Sequence, residues 1–202
     1  MKHCTWSFAV TIAATLFGAG LAVAQQAGNP GGMAPDTPKS NVLPADHPNT
    51  VDQLFARQAW IGGQSEVQLA SLAASRAQSD AVKQFARRMT DDHRKSNDLL
   101  ARVGKNNRAE LPRSPDVDPD EKAIHDQLGQ LRGAEFDVAY MAAQVGAHQK
   151  MAHLLEHEID AGQDAKVKEY AQQTLPTVLH HLDDARQIHA ALLTGAPTAS
   201  AR

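Results

Sequence analysis

Residues 141–159 read MAAQVGAHQKMAHLLEHEI. Met141, Val145, His148, Ala152, Leu155 and Ile159 recur at steps of three and four. That spacing puts them on one face of an α-helix, which turns once in about 3.6 residues. The face is apolar except at His148. Upstream, Asp118-Pro119 reads as a helix start, with the acid as cap and proline at the first helical position. One helix is therefore expected from there to about Ala161, bent near Gly133. Gly162 ends it, and Asp164 can cap a further helix reaching about Leu193. On that last helix Val167, Ala171, Thr174, Val178, His181, Ala185 and Ile188 share a face. Pro176 should kink it, because proline removes a backbone donor and crowds the preceding turn.

The same periodicity appears on the N-terminal side. Phe55, Ala59, Gly62, Glu66, Leu69 and Ala73 predict a helix from about Val51 to Ala77. Its small residues allow close approach of a neighbour. Ser79-Asp80 reads as a tight turn and N-cap. A second helix then runs to about Val103, with Val82, Phe85, Met89, His93, Leu100 and Val103 on one stripe. Lys105 to Val117 holds Asn106-Asn107, Pro112 and Pro115 and is the longest loop. Aromatic residues are only 4% of the chain, which favours packed helices over a sheet. The fold class expected is all-α, an antiparallel four-helix bundle over residues 50–193. Leu100 and Leu155 are expected in its core.

The ends of the chain read differently. Lys2 and His3 precede an uncharged apolar run from Phe8 to Val23, and Ala22-Val23-Ala24 fits a small-x-small cleavage site. Residues 1–24 are expected to be a signal peptide, cleaved before Gln25, which directs the chain to the periplasm or the exterior. The run is short for a membrane span and no basic stop signal follows it. Cys4 is the only cysteine and would leave with the leader. Residues 25–49 are rich in Pro, Gly, Asn and Ser and predict a disordered spacer, as residues 194–202 predict a disordered tail. The formal charge of −3 lacks the basic footprint of a nucleic-acid binder.

Several short motifs occur in order: Gly62-Gly63 with Glu66, Val82-Lys83 with Phe85-Ala86, and Met89 with Asp92-His93. Leu111-Pro112, Leu131 with Gly133, Phe136-Asp137 with Tyr140, His148, Leu175-Pro176 and His181-Leu182 follow. From Leu54 to Leu193 the chain resembles the exported bacterial family called domain of unknown function 4142. The resemblance implies a ferritin-like fold and an export route. It implies no reaction.

Each helical stripe carries one ionisable residue: Glu66, His93, His148 and His181. A carboxylate and imidazoles facing one another inside a bundle can ligate Zn, Fe or Cu. Without metal they would satisfy one another by hydrogen bonds. Counting from the two tight turns puts Glu66, His93 and His148 at one level. His181 lies a few residues further, roughly 6 Å away at about 1.5 Å per residue. Asp137 and Tyr140, at adjacent-turn spacing, are candidates for the surrounding layer. Asp137 would accept from a histidine or pair with a neighbouring helix, and Tyr140 would fill core with its hydroxyl bonded. Asp92 could orient a helix neighbour. His153, Glu156, His157 and Glu158 read as a solvated face, and His180 with Asp184 as an exposed pair. No Glu-x-x-His occurs anywhere, so a ferritin-type di-iron centre is not expected. The absence of a phosphate loop, a serine nucleophile elbow and a zinc-protease pair counts against an enzyme without excluding one. The first reading is an exported bundle that binds a metal or small ligand in its interior. The second is a metal-free structural or interaction protein of the cell envelope that binds a partner. An oxidoreductase with a metal centre trails both, because the Glu-x-x-His pair is missing.

Overall fold

The computed structural model describes residues 50–106, 111–112 and 119–196. The expected leader, the spacer, the Asp118 cap and most of the tail and long loop lie outside the described residues. The rest is helical: α1 (Thr50–Arg76), α2 (Asp80–Asn106), α3 (Pro119–Gln130), α4 (Gly133–Ala161) and α5 (Ala165–Thr194). These pack as a helical bundle. α1 lies against α2 and α4, α5 against α2 and α4, and the short α3 touches α1 and α4. None of the described helices is long and apolar enough to cross a membrane.

The single long helix expected from Asp118 to Ala161 is two helices, broken at Leu131–Arg132. The bend at Gly133 is a full interruption, with Gly133 in the left-handed region at φ 61°. Glycine enters that region without the Cβ clash that other residues meet. Polar contacts with the α1–α2 turn hold the break in place. Arg76 Nη1 donates to Leu131 O at 3.2 Å. The Asp137 carboxyl accepts from Gln78 N at 3.1 Å and Ser79 N at 2.7 Å. One turn of α4 therefore supplies the acceptors that the chain needs before α2 begins.

At the other tight turn, Asp164 caps α5 as expected, accepting from Lys166 N at 2.8 Å and Val167 N at 3.0 Å. Gly162 ends α4 with ordinary extended dihedrals, φ −62° and ψ 151°. Glycine is needed there for space, because a Cβ would fall 2.1 Å from Glu158 Oε1. α5 runs without interruption through Pro176. Between α1 and α2 the close approach expected of small residues occurs at Gly63, where a Cβ would meet Asn97 Oδ1 at 2.1 Å.

The apolar interior forms two clusters. One contains Leu69, Ala73, Phe85, Met89, Tyr140, Met141, Ala185 and Ile188. The other contains Phe55, Ala59, Leu100, Ala152, Leu155, Tyr170, Ala171 and Val178. Leu100 and Leu155 are both fully buried, as their stripes predict. On each of the four long helices, polar residues fall in sequence between the members of the two clusters: Glu66, His93, Gln144 with His148, and His181. All are buried, so the core is two apolar ends separated by a polar layer.

Candidate metal centre

His93 from α2, His148 from α4 and His181 from α5 bring one ring nitrogen each to within 4.8 Å of one another. Their ring centroids lie 5.5–5.8 Å apart. Phe85, about two turns before His93 on α2, packs edge-on against His148 and His181, each at 6.5 Å. Its benzene ring closes one side of the cluster with carbon and leaves it short of hydrogen-bond partners.

Two neighbours set the tautomers. His148 Nδ1 lies 2.9 Å from Gln144 O. A carbonyl oxygen only accepts, so Nδ1 carries the proton and the lone pair stays on Nε2. His181 Nε2 lies 3.2 Å from Asp92 Oδ2, which puts the proton on Nε2 and the lone pair on Nδ1. Burial works against the Asp92 charge, but hydrogen bonds from Lys95 and His181 hold its carboxyl below the usual range. Each of the three rings has one buried nitrogen without a hydrogen-bond partner: His93 Nε2, His148 Nε2 and His181 Nδ1. Leaving such an acceptor unmatched costs about 1–3 kcal/mol. One electrophile accepting the lone pairs of His148 Nε2 and His181 Nδ1, and that of His93 Nε2 in its Nδ1–H tautomer, removes that cost.

Burial, with help from the other two imidazoles, pushes His93 down to about 3. It pushes His148 to about 4 against the pull of the Gln144 carbonyl. His181 also falls to about 4, by burial and His148, against Asp92. At neutral pH all three rings are uncharged, the state in which imidazole binds metal.

Of the four expected ligands, the three histidines come together and Glu66 stands apart from their cluster. It lines the adjoining cavity with His93 and His148, and its carboxyl accepts from Gln144 Nε2 at 2.7 Å. Burial pushes Glu66 up to about 7, opposed by that hydrogen bond. His181, expected one turn away, is instead a full member. Cα–Cβ bonds lean toward a helix N-terminus. His148 therefore leans away from the α4–α5 turn and His181 leans back toward it, which reduces the offset counted along the axes.

The outer layer agrees with expectation in part: Asp92, read as able to orient a helix neighbour, accepts from His181 Nε2 on α5. Asp137 is engaged by the amides of the α1–α2 turn, and the acceptor on an imidazole is Asp92. Tyr140 is core, stacked on Phe136 at 5.6 Å, but its buried hydroxyl has no partner. Burial, then the nearby Glu66, raises its pKa well above the ordinary value. Gln144, four residues before His148 and fully buried, is absent from the residues expected at the site. The signal was its place one turn from His148 on the same side of the helix. Two residues expected at the surface are inside. Asp184 is buried and takes Arg88 Nη2 at 2.8 Å, while exposed His180 lies 3.6 Å from it. Glu158 is fully buried because it lies one turn beyond Leu155, on the face that α4 turns inward.

Residues 37–188 match the family described as Domain of unknown function (DUF4142). Among solved structures the chain is similar to a DUF305 fragment from Deinococcus radiodurans. The TM-score is 0.61 at 15% identity, covering 73% of this chain and 99% of that one. That likeness is one of fold. No curated protein sequence matches the chain significantly.

Proposed function

This chain belongs to the DUF4142 family, and we propose that it is an exported protein that binds a transition metal ion at His93, His148 and His181. The carrying observation is the convergence of three buried imidazoles, each with one buried nitrogen that lacks a hydrogen-bond partner. Imidazole suits Zn, Fe and Cu, and three imidazoles leave room in the coordination shell for water or another small donor. Asp92 and the Gln144 carbonyl act on the far nitrogens of two rings, the arrangement that orients histidine ligands at metal sites. The packing of α1 on α2 and α4, and of α5 on α2 and α4, supports a ferritin-like antiparallel four-helix bundle around this centre. The leader-like residues 1–24 support export. An intact mass beginning at Gln25 is expected for the exported protein; a product retaining Cys4 contradicts cleavage.

Metal binding is tested on protein purified without a histidine tag and titrated with Zn(II), Co(II) and Cu(II) in a calorimeter. One tight site per chain is expected for at least one of these ions. The His93→Ala, His148→Ala double variant should lose that site while circular dichroism stays helical, because the two apolar clusters remain. Asp92→Asn should weaken affinity by about 10–100-fold through its loss of hold on His181. Surface histidines such as His153 and His157 are unchanged in these variants, so any weak binding they add is common to all. Equal stoichiometry and affinity in wild type and double variant would make the imidazoles core packing and give the chain a structural role.

A further inference from the structure

A cavity of about 330 Å³ lies between α1 and α4, with Glu121 of α3 also on its lining, and reaches the imidazole cluster. Ile61, Gly62, Met151 and Leu154 form its walls, and His93 and His148 stand at its inner end. Both histidines thus belong to the cluster and to the cavity. His181 lies away from the cavity, held by Asp92. The outer rim includes exposed Gln58, Lys150 and His153, so the space opens to solvent.

Small residues keep this room. Position 62 has no side chain, and a Cβ there would approach Met151 Cε to 3.0 Å. Position 147, also on the wall, carries only a methyl group. Apolar walls leading to a few convergent polar groups are the usual form of a small-molecule site, and the volume is at the lower end of the range for one.

We propose that the cavity receives a small, uncharged, largely apolar molecule with one donor nitrogen or oxygen, which it places on the metal at the imidazole cluster. The body of that molecule rests on Ile61, Met151 and Leu154. Glu66, positioned by Gln144, faces any polar group next to the donor. This inference rests on the metal reading above, since the donor atom needs an electrophile at the inner end.

The test uses the full exported chain loaded with Co(II), whose visible absorption reports its coordination, and 4-phenylimidazole as probe. A saturable change in the visible spectrum is expected, at one probe per bound cobalt. Ile61→Trp fills the cavity from α1. It should keep the Co(II) stoichiometry and weaken the probe by about tenfold or more, a change of roughly 1.4 kcal/mol. Leu154→Trp fills the same space from α4 and replaces it if the first variant does not fold. Cobalt uptake with no spectral response to the probe overturns the proposal, as does equal probe affinity in a folded, cobalt-loaded variant. Failure to take up cobalt in the wild type overturns the metal reading and this inference with it.

Discussion

Leu155→Ala is expected to lower the unfolding free energy by about 2–5 kcal/mol. Leu155 is fully buried, in the cluster shared with Phe55, Leu100, Val167, Tyr170 and Ala171. Two costs add: the apolar contact area lost, and the cavity left where the neighbours do not close up. Closure is limited here because Ala56, Ala59, Ala152 and Ala171 already bring the helix backbones close. Urea denaturation should show the loss as a lower midpoint with an unchanged slope. The control is Leu179→Ala. Leu179 is 44% exposed, and a surface change away from special features shifts stability by less than about 0.5 kcal/mol. Equal effects in the two variants would mean that the inner face of α4 has been misassigned.

The pH dependence of stability should change in Glu158→Gln. Glu158 is buried at the α4–α5 turn, where Asp52 accepts from the backbone of Gln163 at 2.9 Å and Asp164 at 3.2 Å. Burial first, then the hydrogen bond and charge of Asp52, push its carboxyl up to about 8, with Lys168 pulling the other way. A folded-state value above the unfolded one means that the native protein binds the extra proton. Its contribution to stability is then fully present below about 4.5 and is lost as pH rises through about 8. Glutamine keeps the shape and cannot ionise. The variant should gain on the wild type between pH 5 and 9, by up to about 5 kcal/mol for the full shift and by less where solvent screens the carboxyl. Glu66 is also raised, but it titrates in both proteins and cancels in the difference. Chemical denaturation across that range measures it. A difference that stays flat with pH would show that Glu158 is ionised in the folded protein at neutral pH.

The helices were legible along the chain because their signals are local. Three- and four-residue steps of Phe55, Leu69, Phe85, Leu100, Leu155 and Ile188 mark the inward faces, and Asp164 marks a cap by side-chain chemistry alone. His93, His148 and His181 were legible as interruptions of apolar stripes. The sequence marks the break between α3 and α4 only as a bend. A lone glycine inside a helical pattern signals weakness, while the interruption at Leu131–Arg132 depends on Arg76 and the α1–α2 turn, more than fifty residues away.

Membership of the site was a tertiary outcome. Residue counting fixes levels along the helix axes, but ligand atoms sit at the ends of side chains that lean toward helix N-termini. His181 therefore joins the cluster and Glu66 stands beside it. Glu158 and Asp184 looked like surface charge because charged residues rarely lie inside unless partnered. Their partners, Asp52 for one and Arg88 for the other, are remote in sequence. What this sequence determined by itself was helix extent, inward face and the presence of imidazoles on those faces, since each follows from spacing within a few turns. Which nitrogens meet, which carboxyls are buried and where a cavity remains were decided only by packing between helices, because each depends on distances between residues that the chain keeps far apart.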